Sequence, residues 1–306
     1  MRDCFRRGAT RALCAAVGLF AVMASSQADG VSALAEKTWI HGSANCADNR
    51  DPPLQVFSFD ADTYILRQNK CVHFEAPFIY VLFGKHTVFV QDTGATAEAA
   101  KFPLYDAIQK LVQQRGNSRL KILVTHSHSH GDHKAADAQF RGKPGVTLVE
   151  PTSAGVREYF GFSSWPDGSA LIDLGGRSLI VMPMPGHQDE SLAVYDPHTR
   201  WLLTGDSVYP GRLYVRNWLA FKTSVRRVTE FTKTHPVSAV MGTHIELSRT
   251  GTQFPAGTTY QPDEASLVLT QQDLLRLDEL LQQAGNEPKE IVTKRFVVSP
   301  VGRARP

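Results

Sequence analysis

Hydrophobic residues recur along this chain in two patterns, one typical of buried strands and the other of amphipathic helices. Short apolar or alternating runs bounded by turn residues predict strands. In the first half of the chain these runs are 55–59, 63–67, 77–83, 86–91, 120–125 and 147–150. In the second half they are 171–174, 178–184, 191–195, 201–204, 237–241 and 291–298. The chain is therefore rich in strands from residue 55 onward.

Helical periodicity separates several of these strands. The helices are predicted at 101–115, after Gly131, at 152–160, at 224–234 and after Thr270. Thr270 and Asp273 resemble a capping box, which predicts where the last helix begins. Strands interspersed with helices indicate an α/β fold. Because no linker or short repeat interrupts the pattern, we expect residues 29–306 to form a single domain.

Composition and charge narrow the class of protein. The chain has 306 residues, of which 42% are hydrophobic, and this is enough to bury one large core. The net charge of +3 lies in residues 1–28, where Arg2, Arg6, Arg7 and Arg11 face Asp3 alone. The remainder is electrically balanced, so charge gives no reason to expect nucleic acid or an anionic membrane as a partner.

The first 28 residues have the layout of a secretory signal peptide. Residues 1–11 are basic, 12–24 are apolar or small, and Ser26-Gln27-Ala28 offers small residues to a signal peptidase. The apolar run is shorter than the roughly 20 residues of a stable membrane span. We therefore predict a cleaved signal peptide and a periplasmic or secreted protein. A short anchor or a misplaced start remains the alternative.

Cleavage after Ala28 would leave two cysteines, Cys46 and Cys71. Two cysteines in an oxidising compartment are a natural disulfide pair, and we predict this bridge. Two free thiols are the other possibility.

A cluster of histidines carries most of the chemical information. Residues 125–133 read Thr-His-Ser-His-Ser-His-Gly-Asp-His. His128 and His130 are two residues apart at the end of a predicted strand, so an extended backbone directs both imidazoles to one side. Asp132 and His133 follow at the Gly131 turn and suit a second metal beside the first. Histidine nitrogen and carboxylate oxygen together are ligands that zinc prefers.

This run resembles the HxHxDH motif of the metallo-β-lactamase superfamily. His128, His130, Asp132 and His133 match the motif, whereas a frame that starts at His126 would place a histidine where the aspartate belongs. His126 is thus expected to be a structural neighbour of the site. Further family elements follow in order along the chain: Asp92-Thr93-Gly94 before the motif, then Pro185-Gly186-His187, Thr204-Gly205-Asp206 and Gly242-Thr243-His244 after it.

The resemblance implies a four-layer αβ/βα sandwich and a dinuclear zinc site, with iron or manganese as other possible metals. It implies that the first ion is held by His128, His130 and His187, and the second by Asp132, His133 and His244. Asp206 would bridge the two ions. A metal-bound hydroxide would attack a carbonyl, and Asp132 would act as the catalytic residue that orients the nucleophile and passes a proton to the leaving group.

Asp206 favours one branch of the superfamily. Antibiotic-degrading members usually have cysteine or serine near this position, whereas hydroxyacylglutathione hydrolases and lactonases use a bridging aspartate. We therefore expect an exported hydrolase of a small-molecule ester, thioester or lactone. The alternatives are a periplasmic β-lactamase-like enzyme and a mononuclear iron oxygenase that acts on persulfides. The sequence leaves the oligomeric state open.

Residues that follow Asp206 are candidates for contacts with the substrate. We expect Tyr209, Arg212 and Tyr214 to lie beside the metals, together with Arg216 and Trp218. An arginine there could pair with a substrate carboxylate. Trp165, in a Gly-, Ser- and Pro-rich loop, is a candidate for a flap over the site.

Overall fold

Two β-sheets packed face to face form the centre of the structure, a computed structural model that describes residues 29–117 and 119–301. The predicted signal peptide, residues 1–28, lies outside the described residues. The strands of the first sheet are β1 (Leu54–Asp60), β2 (Thr63–Gln68), β3 (Phe78–Phe83), β4 (Thr87–Gln91), β5 (Lys121–Thr125) and β6 (Val146–Leu148). They pair in sequence order, antiparallel from β1 to β4 and parallel from β4 to β6.

The second sheet has the strand order β12-β10-β9-β8-β7. Its strands are β7 (Ala170–Asp173), β8 (Ser178–Pro183), β9 (Leu192–Asp196), β10 (Trp201–Gly205) and β12 (Ala239–Gly242). Only the pair of β10 and β12 is parallel. A third, small sheet contains β11 (Arg212–Val215), β13 (Ile291–Val292) and β14 (Val297–Pro300).

The helices of the described chain are α1 (Leu104–Gln114), α2 (Gly131–Lys134), α3 (Asp137–Phe140), α4 (Ser153–Phe160), α5 (Trp218–Thr232) and α6 (Gln271–Ala284). Helices α1 and α3 pack on the outer face of the first sheet and α5 and α6 on that of the second, whereas α4 contributes Val156 to the core between the sheets. The alternation of side chains along a strand explains the layers. On β3, Tyr80 belongs to the core between the sheets, whereas Val81 packs with Ile108 of α1 on the outer face. On β10, Leu202 packs outward with Phe221 of α5. The expected four-layer α/β sandwich is confirmed.

Three local predictions were wrong or incomplete. The helix expected at 224–234 begins at Trp218, because the side chain of Asn217 caps it by accepting a hydrogen bond from the Ala220 N–H. The strand expected at 291–298 is two antiparallel strands, since the Thr293 hydroxyl bonds to both backbone groups of Phe296 and turns the chain. Strand β11 lies in the segment after Asp206, where no strand was predicted.

The predicted disulfide between Cys46 and Cys71 is present. It joins a short 3₁₀ turn, Cys46–Asp48, to the segment that follows β2. Within the described part of the chain, every helix is too short or too polar to cross a bilayer.

Candidate metal centre

The predicted metal ligands meet at one edge of the sandwich. Each ligand follows the carboxyl end of a strand within eight residues: the 128–133 run after β5, His187 after β8, Asp206 after β10 and His244 after β12. Because β4 and β5 are parallel, and β10 and β12 are too, their carboxyl ends share an edge of their sheets. The parallel pairing of these strands thus brings together residues that are far apart in the sequence.

Four of these residues form a first group of potential ligands: His128, His130, His187 and Asp206. The His128 Nε2 lies 2.9 Å from the His130 Nδ1 and 3.2 Å from the His187 Nε2. The His187 Nε2 and the His130 Nδ1 are 3.1 Å apart. These three nitrogens therefore form a small triangle, and Asp206 Oδ2 lies 3.7 Å from two of them.

A second group contains Asp132, His133, His244 and, again, Asp206. The Asp132 Oδ2 lies 3.2 Å from the Nε2 atoms of both His133 and His244. Those two nitrogens are 3.4 Å apart. Asp206 contributes Oδ2 at 3.5 Å from His133 and Oδ1 at 3.4 Å from His244, so its carboxylate joins the two groups. The structure therefore brings all seven predicted ligands together.

Backbone carbonyls fix the orientation of two imidazoles. The His187 Nδ1 lies 2.8 Å from the Tyr214 carbonyl oxygen, and the His244 Nδ1 lies 3.1 Å from the Glu75 carbonyl oxygen. A carbonyl accepts only, so each Nδ1 carries the proton and donates it. In the neutral imidazole, the Nε2 of each ring then presents a lone pair to its group of ligands.

Asp92 orients the imidazoles of both groups. Its buried carboxylate accepts hydrogen bonds from the Ser127 N–H at 2.6 Å, from the Ser127 hydroxyl at 2.9 Å and from the His133 Nδ1 at 3.1 Å. The Ser127 oxygen in turn lies 3.1 Å from the His128 Nδ1. Asp92 therefore contacts one ligand of the second group directly and one of the first through a hydroxyl.

These donors fit metal cations. Three imidazole nitrogens with lone pairs directed at one point repel each other unless a cation lies between them. In tetrahedral zinc sites, ligand nitrogens about 2.0–2.1 Å from the ion are on the order of 3.3 Å apart, close to the spacing of the first group. The carboxylate and two imidazoles of the second group suit zinc equally.

Two glycines are required where the chain enters the site. Gly205 has φ +53°, and a Cβ there would lie 2.5 Å from the Ser127 Cβ. Gly186 has φ +144°, and a Cβ would lie 2.4 Å from the Phe221 Cα. Both precede a predicted ligand directly, so any other residue would displace Asp206 or His187.

Burial and nearby charge give the two groups opposite protonation preferences. Burial and the neighbouring His133 lower the pKa of His128 well below its ordinary value. Burial also disfavours the His244 imidazolium, but the carboxylates of Asp206 and Asp132 outweigh it and raise the pKa of His244 to about 9. Nearby carboxylates likewise outweigh burial at His133 and raise its pKa. At Asp206, the neighbouring histidines outweigh burial and keep the pKa well below its usual range.

His126 lies outside both groups, as predicted. Its Nε2 lies 2.8 Å from the Asp137 Oδ1, which also accepts a hydrogen bond from the Thr93 hydroxyl at 2.7 Å. The ring therefore ties the motif to α3 and the Asp92-Thr93-Gly94 turn. Its role is structural.

A cleft of about 320 Å³ opens over the ligands and is partly lined by Tyr209, Tyr214 and Arg216. The Tyr209 hydroxyl is already engaged, because it donates to the Arg212 carbonyl and lies 3.2 Å from the Glu246 carboxylate. Arg212 lies in an adjoining side cavity, where its guanidinium donates to the Phe254 carbonyl at 2.6 Å. Whether Tyr209, Arg212 and Tyr214 contact substrate stays a prediction.

Two aromatic candidates are placed elsewhere. Trp218 is buried at the start of α5, and its indole N–H donates to the Gly285 carbonyl at 3.1 Å. Trp165 packs against Phe162 and is not among the described residues that line the cleft. In this structure Trp165 packs against the core between the sheets, and its proposed role as a flap stays a prediction.

Sequence reasoning missed several residues of the site. Glu75 and Glu246 line the cleft, and Thr243 donates to the Asp206 Oδ1. The buried carboxylate of Glu190 accepts from the Ser129 N–H at 3.0 Å and so holds the histidine run in place. Thr243 could have been noticed beside His244, but Glu75 and Glu190 belong to no motif.

Comparison with known proteins agrees with this geometry. The chain is 28% identical to a hydroxyacylglutathione hydrolase of Rhizobium meliloti (strain 1021) over 40% of its length. It is 25% identical to the acyl-coenzyme A thioesterase MBLAC2 of Homo sapiens over 47% of its length. The matched segments span only 47% and 61% of those relatives.

A solved metallo-beta-lactamase from Pontibacter korlensis superposes with a TM-score of 0.50 at 18% identity, over 75% of this chain and 99% of that one. At this identity the likeness concerns the fold alone. Residues 74–282 match the domain described as the metallo-beta-lactamase superfamily, which is well over half of the chain. The histidine run, the shared aspartate and the four-layer sandwich thus have one explanation, and the chain belongs to the metallo-beta-lactamase superfamily.

Proposed function

We propose that this protein is an exported, dinuclear zinc hydrolase that acts on a thioester, ester or lactone. The observation that carries the proposal is the pair of ligand groups that share Asp206. Two adjacent zinc ions would lower the pKa of a water molecule and polarise the carbonyl of a substrate.

The protein's own residues would position and move protons. Asp132 is partly exposed to the cleft, and its Oδ2 lies 3.2 Å from both His133 and His244. Its carboxylate is therefore fixed at the boundary between the second group and the cleft. From there it would orient the attacking water and later hand a proton to the leaving group.

Thioesters are the first substrates to test. Both curated relatives are named for reactions on thioesters or acyl-coenzyme A, and Asp206 stands where antibiotic-degrading members usually have cysteine or serine. The cleft of about 320 Å³ is of a size suited to a small molecule. Lactones and simple esters present the same electrophilic carbonyl and remain within the proposal.

Export is supported by two features. The first is the signal-like layout of residues 1–28, and the second is the Cys46–Cys71 disulfide, which is typical of an oxidising compartment. Both support a periplasmic or secreted location. Fractionation of the producing cells, with detection of the mature N-terminus after Ala28, tests it.

The function is tested by metal analysis followed by a substrate panel. The purified, zinc-supplemented protein should turn over a thioester, an ester or a lactone faster than the β-lactam nitrocefin. Efficient nitrocefin hydrolysis alone would favour a β-lactamase-like enzyme. One bound iron together with oxygen consumption on persulfides would replace the hydrolase proposal with an oxygenase.

A further inference from the structure

Each imidazole of the metal centre presents one ring nitrogen to its group of ligands and directs the other toward the rest of the protein. In four of the five rings this far nitrogen faces an oxygen atom, which can accept its proton. The oxygens belong to the carbonyls of Tyr214 and Glu75, the carboxylate of Asp92 and the hydroxyl of Ser127. His130 differs, because its far nitrogen faces a side-chain amide.

The amide belongs to Gln188, the residue directly after the ligand His187. The Nδ1 of His130 is the atom that faces the first group, at 2.9 Å from the His128 Nε2 and 3.1 Å from the His187 Nε2. On the other side of the ring, the His130 Nε2 contacts the Gln188 Nε2. The Gln188 Oε1 accepts a hydrogen bond from the Arg216 Nη1 at 2.9 Å. The amide therefore lies between a ligand ring and a guanidinium that lines the metal cleft.

Backbone hydrogen bonds hold Gln188 and Arg216 on one turn, residues 186–191. The Gln188 N–H donates to the Ser191 hydroxyl at 3.1 Å, and the Gln188 carbonyl accepts from the Ser191 N–H at 3.3 Å. The same carbonyl accepts from the Gly186 N–H at 3.3 Å. The Arg216 N–H donates to the Gly186 carbonyl at 2.9 Å. Rotation of the amide about its last bond can therefore exchange its oxygen and nitrogen while the backbone is held.

The amide has one oxygen for two donors. The Arg216 guanidinium can only donate, and a neutral His130 that holds a cation through Nδ1 carries its proton on Nε2, so that nitrogen donates as well. In the arrangement described above, two N–H groups would then face each other. A half-turn of the amide gives the oxygen to His130 and leaves its nitrogen beside Arg216. In either orientation of the amide, one of the two donors lacks the oxygen.

We propose that Gln188 is a positioning residue for which His130 and Arg216 compete, so that cation binding in the first group releases Arg216 toward the cleft. The proposal rests on the zinc site of the proposed function. Because Arg216 competes for the amide oxygen, it weakens the support of His130, and by linkage its removal strengthens cation binding. A carboxylate at position 188 would serve both donors, since it has two acceptor oxygens. The released guanidinium is available to an anionic part of a substrate.

Zinc affinities of three single variants test this competition. Gln188→Met removes the acceptor, and the affinity of the first group should fall by about tenfold. Gln188→Glu supplies an oxygen to each donor, and the same affinity should rise by about tenfold. Arg216→Met removes the competing donor and should raise it by about threefold. Stepwise competition with a chelator measures both zinc affinities, and the affinity of the second group should change much less in all three variants.

A double-mutant cycle separates this competition from a simple effect of charge. Arg216→Met should raise the affinity of the first group in the wild type but not in Gln188→Met, because no amide oxygen remains to compete for. Asp189→Asn is the matched control, since it changes the charge by one unit at the exposed neighbour of Gln188 and should alter neither affinity. An equal gain from Arg216→Met in both backgrounds would overturn the proposal, as would a change in the same direction by Gln188→Met and Gln188→Glu.

The affinities also distinguish a failure of this proposal from a failure of the hydrolase function. Thermal unfolding first shows that each variant is folded. A wild-type protein that binds zinc but hydrolyses no thioester, ester or lactone refutes the hydrolase function, while the variant affinities still decide the role of Gln188. A wild-type protein that binds no zinc overturns both. Opposite shifts in Gln188→Met and Gln188→Glu, with no gain from Arg216→Met once Gln188 is replaced, are the result that the proposal predicts.

Discussion

The two ligand groups are neighbours and share one aspartate, yet their electrostatics differ. The first group has three histidines, and burial lowers the pKa of His128. In the second group, Asp132 and Asp206 raise the pKa of His244 to about 9. At neutral pH and without metal, His128 and His130 of the first group therefore disfavour protonation, whereas His133 and His244 of the second group hold protons against neighbouring carboxylates.

This difference indicates how each group would bind a cation. A metal ion entering the first group meets lone pairs that are already available. An ion entering the second must displace protons, so its affinity depends more steeply on pH. Asp206 couples the two, because its carboxylate contacts both groups. The first group is thus a preorganised site, and the second a site that exchanges protons, which suits residues assigned to proton transfer.

The largest effect is expected from Asp132→Ala, which removes a carboxylate that belongs to the second group alone. Hydrolysis should fall by about 10³-fold or more, since both the second ion and the proton carrier are lost. The first group should keep its ion and the fold should persist. Asp189→Ala is the control, because Asp189 is exposed in the turn after His187. Near-normal turnover by Asp132→Ala would contradict the assigned role.

The second prediction concerns the pH dependence of the metal-free protein. The pKa of His244 is about 9 when folded and about 6.5 when unfolded, so its protonation stabilises the fold fully below about pH 6.5. That contribution, about 3 kcal/mol at most, is lost as the pH rises through about 9. Urea unfolding of the wild type and His244→Asn between pH 6 and 9.5 measures it.

His128 should behave in the opposite way. Burial lowers the pKa of His128 in the folded protein. Below about pH 6.5 the unfolded chain therefore binds a proton at this residue and the folded chain does not, so the free energy of unfolding falls as the pH drops. His128→Asn should remove this penalty. If both variants change stability in parallel across the range, the two groups do not differ as described.

Asp92 and Ser127 distinguish the two groups through their supporting contacts. Asp92→Asn should weaken zinc binding at both groups by about 10- to 100-fold, since the carboxylate contacts His133 directly and His128 through Ser127. Ser127→Ala should affect the first group more than the second. Competition with a zinc chelator at several concentrations measures both affinities. Equal weakening of the two groups by Ser127→Ala would be inconsistent with the observed contacts.

The smallest effect is expected from Tyr209→Phe. The Tyr209 hydroxyl is bonded within the protein to the Arg212 carbonyl and the Glu246 carboxylate, so its loss should cost stability of about 1 kcal/mol. The value of kcat/KM should change by less than about threefold. A much larger loss of activity without loss of stability would show that the hydroxyl serves the substrate, as the sequence suggested.

The sequence predicted the metal ligands better than their surroundings. The ligands stand in short motifs at strand ends, and periodicity located most of those strands. Contacts between residues that are far apart in the sequence produce no such local pattern. Glu75 orients His244 through a backbone carbonyl, which any residue could supply, and only the packing of sheets places it there. The helix start at Trp218 was missed although Trp218, Phe221 and Val225 are buried at helical spacing, because the prediction did not take account of the Asn217 cap.

The account depends on the occupancy of the two groups. The most direct test is zinc quantification on the purified protein after supplementation and removal of free metal, together with the Asp132→Ala variant. The account predicts two zinc ions per chain in the wild type and one in the variant. A wild-type protein that binds no zinc, or a variant that retains both ions, would contradict it.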